Sequence, residues 1–229
     1  MLVLGSTESG KTNFLLWFFL HCPLRQIFFN PIRHIEPRKI ADINITENVI
    51  ISEKFEKILN NLSIDRICVT PSEDLIGDRK KLTKIWEILC HKVFMHEDRL
   101  FTKLMRRKGY KMDRDFLRRS NIVLINDELM MTVHFEELVP AHFRIIHAGQ
   151  NYNVSHIGNT QRHQLISKLL TTQSKRKVIF ELDKYDIDVL KDRISGVEDS
   201  AYLKPFHFVF QKGLDVRYFL PVPLMKKVL

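Results

Sequence analysis

Hydrophobic positions along the 229-residue chain fall into short continuous runs that alternate with stretches of helical spacing. Residues 1–4 (Met-Leu-Val-Leu) are apolar throughout and end at Gly5, which predicts a buried strand. Residues 12–22 are apolar nearly all round and stop at Pro23, which predicts a buried helix. A second strand is expected over residues 26–30, closed by Pro31, and a third over 66–70, closed by Pro71. Between them, Phe55, Ile58, Leu59 and Leu62 recur at helical spacing within residues 53–62. Leu82, Ile85, Trp86, Leu89 and Val93 line one face of a longer helix predicted over 80–96. Further strands are expected at 121–125, 154–160 and 178–182, with helices at 135–150, 164–171 and 185–194. Residues 206–220 read as a hairpin turning at Lys212-Gly213. Continuous apolar strands joined by helices imply a parallel sheet covered on both faces; the hairpin would add antiparallel strands to one edge. No internal repeat or linker interrupts the pattern, so a single domain over residues 1–229 is expected.

Composition narrows the class. Hydrophobic residues make up 45% and charged residues 28%, and Gly and Pro total only 16, which excludes a disordered or fibrous chain. The apolar run at 14–20 is too short to cross a bilayer and no basic region precedes it, so neither secretion nor a transmembrane segment is expected. Cys22, Cys68 and Cys90 lie far apart without a CxxC pair, which argues against a disulfide scaffold or zinc ribbon and fits a reducing compartment. The net charge of +9 is concentrated. Residues 99–119 hold nine basic side chains against Asp113 and Asp115. Such a segment attracts polyanions by counterion release, or it is simply a solvated face.

Three constellations carry candidate chemistry. Gly5-Ser6-Thr7-Glu8-Ser9-Gly10-Lys11-Thr12 fits G-x-x-x-x-G-K-[ST], between a predicted strand and the predicted helix over 12–22, and with Asn13 it is the candidate nucleotide-binding stretch. The glycines let successive backbone N–H groups face phosphate oxygens, Lys11 reaches the β- and γ-phosphates, and Thr12 offers a hydroxyl to Mg²⁺. Asn121-Ile122-Val123-Leu124-Ile125-Asn126-Asp127-Glu128 is an apolar strand ending in two acids. Asp127 is the natural metal-side carboxylate, and Glu128 points the other way, where it can polarise a water for attack on a γ-phosphate. The competing reading is a helix cap. Ile157-Gly158-Asn159-Thr160-Gln161-Arg162 ends a strand in a neutral polar residue, so that Gln161 either senses the γ-phosphate or bonds its own loop.

In this order, and with Val178-Ile179-Phe180-Glu181-Leu182 following, the chain resembles the FtsK/HerA-type P-loop ATPases, most closely the compact viral genome-packaging ATPases. Asn30-Pro31, Val69-Thr70-Pro71-Ser72-Glu73, Asp186-Ile187-Asp188-Val189-Leu190 and Pro205-Phe206-His207-Phe208-Val209 match the same rhythm. The resemblance implies an α/β P-loop NTPase: a three-layer sandwich of the ASCE/RecA-like branch with a mostly parallel central sheet and a C-terminal β-hairpin at the edge. It implies a translocase that hydrolyses ATP with Mg²⁺ as a homo-oligomeric ring, a pentamer or hexamer. Its partners would be double-stranded DNA and a capsid or membrane-vertex protein, in the host-cell cytoplasm or the virion. Lys11, Thr12 and Asp127 would hold phosphate and Mg²⁺, Glu128 would be the base, and Gln161 the sensor.

A ring ATPase needs a cation that reaches the neighbour's γ-phosphate. Arg162 and Arg176 are the candidates, and a surface salt bridge is the alternative for each. The basic insertion at about 97–119 precedes the acidic strand, where Lys103, Arg106, Arg107, Lys108 and Lys111 would meet phosphates without reading bases. Cys90, His91 and His96 point apart on a helix, so no metal beyond Mg²⁺ is expected. Two alternatives stay open: a conjugation or secretion ATPase of the same superfamily, and a monomeric nucleotide kinase with residues 99–119 as its lid.

Overall fold

The computed structural model describes residues 1–33, 35–105, 121–133, 138–161 and 167–225. From the N-terminus run β1 (Leu2–Leu4), α1 (Lys11–His21), β2 (Arg25–Phe29), α2 (Glu36–Ile40), β3 (Ile43–Ile45), α3 (Glu47–Ile51) and α4 (Lys54–Asn60). They are followed by β4 (Arg66–Val69), α5 (Arg79–Met105), β5 (Ile122–Asn126), α6 (Pro140–Ala148), β6 (Val154–Thr160) and α7 (Lys168–Gln173). The chain closes with β7 (Arg176–Ile179), α8 (Lys184–Leu190), β8 (Phe208–Lys212) and β9 (Asp215–Phe219).

All nine strands form one sheet in the order β3-β4-β2-β5-β6-β1-β7-β8-β9. The first seven of these are mutually parallel. β8 and β9 add antiparallel at one edge, as the hairpin pattern predicts. β1 lies between β6 and β7, so the acidic strand β5 stands one strand away from it. Parallel strands all end at the same edge of the sheet, and that edge is where loops can converge on a ligand.

Alternation along the strands fills two apolar layers. Ile27, Phe29, Ile67, Val69, Ile122 and Leu124 face Phe55, Trp86 and Leu89 from α4 and α5. Val3, Phe28, Val123, Ile125 and Val178 face Phe14, Leu15 and Phe19 of α1. A third cluster joins Leu2, Leu4 and Ile179 to Leu170, Ile187 and Leu190. The result is a three-layer α/β sandwich with a mostly parallel sheet.

The structure adjusts several expected boundaries. Residues 31–52 carry α2, β3 and α3, none of which the hydrophobic pattern marks. β3 is a three-residue strand beside β4 whose central Asn44 is exposed, too short to set up a period. α5 runs well beyond 96, because an apolar stripe continues beneath its charges. Phe94 and Phe101 lie 4.8 and 6.1 Å from the Tyr152 ring. Residues 97–105 of the expected basic insertion are therefore helix, while 106–119 lie outside the described residues. The seventh strand starts two residues early, at Arg176, since the antiparallel β8 pairs Lys212 with it. The hairpin loop is Gly213-Leu214 rather than Lys212-Gly213, with Lys212 paired to Asp215 and Gly213 at φ 62, a geometry glycine adopts without strain.

Candidate nucleotide-binding site

β1 delivers Gly5 to the carboxyl edge of the sheet, and α1 begins at Lys11, so residues 5–10 form the connecting loop. The Ser6 N–H donates to the Glu181 carbonyl at 2.9 Å, which ties the loop to the end of β7. A Cβ on Gly5 would lie 2.5 Å from Ser9 Oγ and 2.7 Å from Phe180 Cβ, so only glycine fits there. Gly10 caps α1 at φ 106, which turns the chain into the helix and leaves the first-turn N–H groups without intrahelical acceptors. Those N–H groups, with the positive end of the helix dipole, form a ready anion cradle. Thr7 and Glu8 are exposed on the loop crest, Ser9 is buried, and Thr12 and Asn13 are half-buried in the first turn.

Lys11 is only 4% exposed. Its ammonium donates to the Gly5 carbonyl at 2.7 Å and to the Ser6 carbonyl, and it lies 3.5 Å from Ser9 Oγ. Burial pulls its pKa down to about 8, against the opposing pull of Glu128, Asp127 and Asp186. A lysine held among carbonyls and carboxylates at reduced basicity is suited to accept a phosphate as a better counter-ion.

β5 ends at Asn126, and Asp127 and Glu128 follow with 1% and 7% exposure. Asn159, on the neighbouring β6, donates to the Asp127 carbonyl at 2.7 Å and to its carboxylate at 3.3 Å. Asn126 accepts from the Glu128 N–H at 3.2 Å and donates to the Thr132 hydroxyl at 2.6 Å. The Glu128 carboxylate accepts from the Met130 N–H at 3.4 Å, capping a 3₁₀ turn over Leu129–Met131. The helix-cap reading of this acid is thus part of its geometry, and it coexists with proximity to Lys11.

Gln161 follows the last residue of β6, and its side-chain oxygen accepts from the Thr7 hydroxyl at 3.1 Å. It bonds the Gly5 loop rather than its own loop. The β6 strand end and the loop crest therefore meet, which the strand order makes possible.

Other candidate residues are not gathered here. Arg176 opens β7, at the opposite edge of the sheet from the Gly5 loop. Arg162 lies outside the described residues, as do Arg106, Arg107, Lys108 and Lys111. Lys103 is exposed on the last turn of α5. Sequence reasoning passed over three contributors. Asn126 and Asn159 are buried fasteners of the acidic pair, and an asparagine at a strand end carries no motif. Asp186, 6% exposed on α8, adds a third carboxylate near Lys11. Its spacing from Asp183, whose carboxylate accepts from the Asp186 N–H at 2.8 Å, is that of an ordinary helix cap.

No protein-family model matches the sequence, and neither does any curated protein. Solved structures do match. The genome packaging NTPase B204 from Sulfolobus turreted icosahedral virus 2, in complex with AMPPCP, superposes with a TM-score of 0.66 at 16% identity, over 96% of each chain. The chain shares the fold of B204. The B204 complex with sulfate gives a TM-score of 0.67 at 17% identity over 97% of this chain and 96% of that one. EssC (ATPases 2 and 3) from Geobacillus thermodenitrificans gives 0.55 at 12% identity, with 97% of this chain covering 39% of EssC. Among the described residues, no helix is long and apolar enough to cross a membrane.

Proposed function

We propose that this chain is a Mg²⁺-dependent ATPase that drives nucleic-acid translocation, specifically the packaging of a viral genome into its capsid. The observation that carries the reading is convergence: the Gly5 loop with Lys11, the Asp127-Glu128 pair and Gln161 meet at one edge of the sheet. Likeness to B204 along nearly the whole of both chains favours packaging over secretion, since EssC is matched over only part of its length.

In this account the loop N–H groups and Lys11 hold the β- and γ-phosphates of ATP. Thr12 and Asp127 offer a hydroxyl and a carboxylate, hard oxygen donors that suit Mg²⁺. Bound there, Mg²⁺ supplies charge neutralisation on the phosphate oxygens. Glu128 accepts a proton from the attacking water, and Gln161, released from Thr7, contacts the γ-phosphate. Asn159 keeps Asp127 aimed into the site. Ring assembly, a neighbour's Arg162 or Arg176 acting in trans, and contact of Lys103, Arg106, Arg107, Lys108 and Lys111 with double-stranded DNA complete the translocase. Residence in the host cell and virion, with a capsid or membrane-vertex docking protein, follows from the same reading.

The test is Glu128→Gln in a steady-state hydrolysis assay. The variant is expected to bind ATP as the parent does and to lose roughly 10²–10⁴-fold in turnover. Unchanged turnover would remove Glu128 from the role of base. Charge reversal at Arg106, Arg107 and Lys108 is expected to weaken DNA affinity and flatten its salt dependence.

A further inference from the structure

The strand order divides the surroundings of the Gly5 loop into two sides. On the β6 side stand Gln161, Asp127 and Glu128, the groups assigned above to the γ-phosphate and the metal. A nucleotide whose terminal phosphate faces them must extend its base to the β7 side. There β7 is followed by the antiparallel pair, so the start of β8 and the end of β9 return to the same edge of the sheet as the loop. Residues 204–207 and 220–225 are therefore the segments that flank the base side.

The first segment abuts Gly10 at the end of the loop, and the second bonds the first turn of α1. A Cβ on Gly10 would sit 2.9 Å from Phe206 Cδ1, so the Phe206 ring abuts the glycine that opens α1. Phe206 adopts φ 65, a left-handed conformation that is strained for a bulky residue and that concentrates at ligand clamps. The residue nevertheless remains 42% exposed, so core packing alone does not account for the strain. In the first turn of α1, the Asn13 amide donates to the Pro223 carbonyl at 3.0 Å and its oxygen accepts from the Met225 N–H at 2.7 Å. This double bond pattern, with Met225 buried to 1% exposure, fastens residues 221–225 as a strap beside the loop.

We propose that Phe206 is the stacking platform for the purine base of the bound nucleotide, with the strap held by Asn13 forming the other wall. The inference rests on the nucleotide reading of the Gly5 loop. A phenyl face stacks any purine, so Phe206 contributes affinity for a base and no contact to phosphates. Asn13 acts through the strap and is a positioning residue.

The experiment measures binding of Mg²⁺-ATP and of Mg²⁺-tripolyphosphate, which lacks a base, to the full chain and to Phe206→Gly and Phe206→Trp. Glycine accepts φ 65 without strain, so Phe206→Gly is expected to melt no lower than the parent. It should bind tripolyphosphate as the parent does while losing about tenfold in ATP affinity, the scale of one base–aromatic stack. Phe206→Trp should bind ATP at least as tightly as the parent. Equal ATP affinity in the glycine variant, with tripolyphosphate binding intact, would overturn the platform and leave the phosphate site standing. A parent chain that binds neither ligand would overturn the nucleotide reading, and this inference with it.

Discussion

Lys11 offers a prediction whose size follows from its surroundings. The ammonium is buried against loop carbonyls, and its pKa stands at about 8 in the free protein. A triphosphate places several negative charges within hydrogen-bond reach, which raises a cation's pKa by about 1–3 units. Binding therefore carries the group from about 8 to roughly 10. The sign is fixed by that direction. Affinity is full below the free-state pKa and falls as pH rises through it, levelling only above the bound-state value. At pH 9 roughly one free molecule in ten has Lys11 charged, so ATP should bind about tenfold more weakly than at pH 7. At pH 8 binding should take up about half a proton. The phosphate's own second pKa, about 6, lies below this window. Calorimetric titration with a non-hydrolysable ATP analogue, at pH 8 in buffers of different ionisation enthalpy, reads the proton uptake directly. Zero uptake together with equal affinity at pH 7 and pH 9 would refute the electrostatic account of Lys11. Lys11→Met should remove both the pH dependence and most of the affinity.

Three other outcomes are expected. Asn159→Leu removes the amide that donates to the buried Asp127 carbonyl and carboxylate, so denaturant unfolding should show a loss of about 1–3 kcal/mol, and hydrolysis should fall with it; an unaltered midpoint would contradict the fastener role. Gly10→Ala must hold φ 106 and meets Phe206 and Phe180, so it should lower the melting temperature and weaken ATP binding, and a neutral result would mean the loop opens without loss. The packed pair of His142, fully buried, and His156, half-buried, is kept neutral: burial lowers His142 to about 3, and burial beside His142 lowers His156 well below its usual value. Below the unfolded value near 6.5 the unfolded chain takes up protons that the folded chain refuses, at about 1.4 kcal/mol per histidine per pH unit. Thermal melts from pH 7 to pH 5 should fall steeply, and by less in His142→Leu; parallel curves would argue against this linkage.

The Gly5 loop was legible because the phosphate chemistry proposed for it needs a fixed local string: two glycines, a lysine and a hydroxyl between a strand and a helix. The central strands were legible because burial on both faces makes them uniformly apolar, as in Ile122–Asn126. β3 was not, because three residues with an exposed middle set no period. The length of α5 was hidden for a different reason. Its last turns bury Phe94 and Phe101 on Tyr152 while charges cover the outside, and a charge count reads only the outside. At the site, Glu128 and Gln161 stood out in the sequence, but their partners did not. Asn126, Asn159 and Asp186 act across strands and helices that only the folded order brings together. Phe206 stood in the sequence only as part of the Pro205–Val209 pattern, with no role of its own; its place beside Gly10 follows from an antiparallel strand returning to the carboxyl edge.

The central claim is that this site hydrolyses ATP in an assembled machine that acts on nucleic acid. The most direct test is the Mg²⁺-ATP hydrolysis rate, with and without double-stranded DNA, at two protein concentrations. The account predicts stimulation by DNA that grows with protein concentration, as expected when a residue of one subunit completes the site of the next. A rate indifferent to both, and raised instead by a small phosphate acceptor, would contradict it and assign the same loop to a nucleotide kinase.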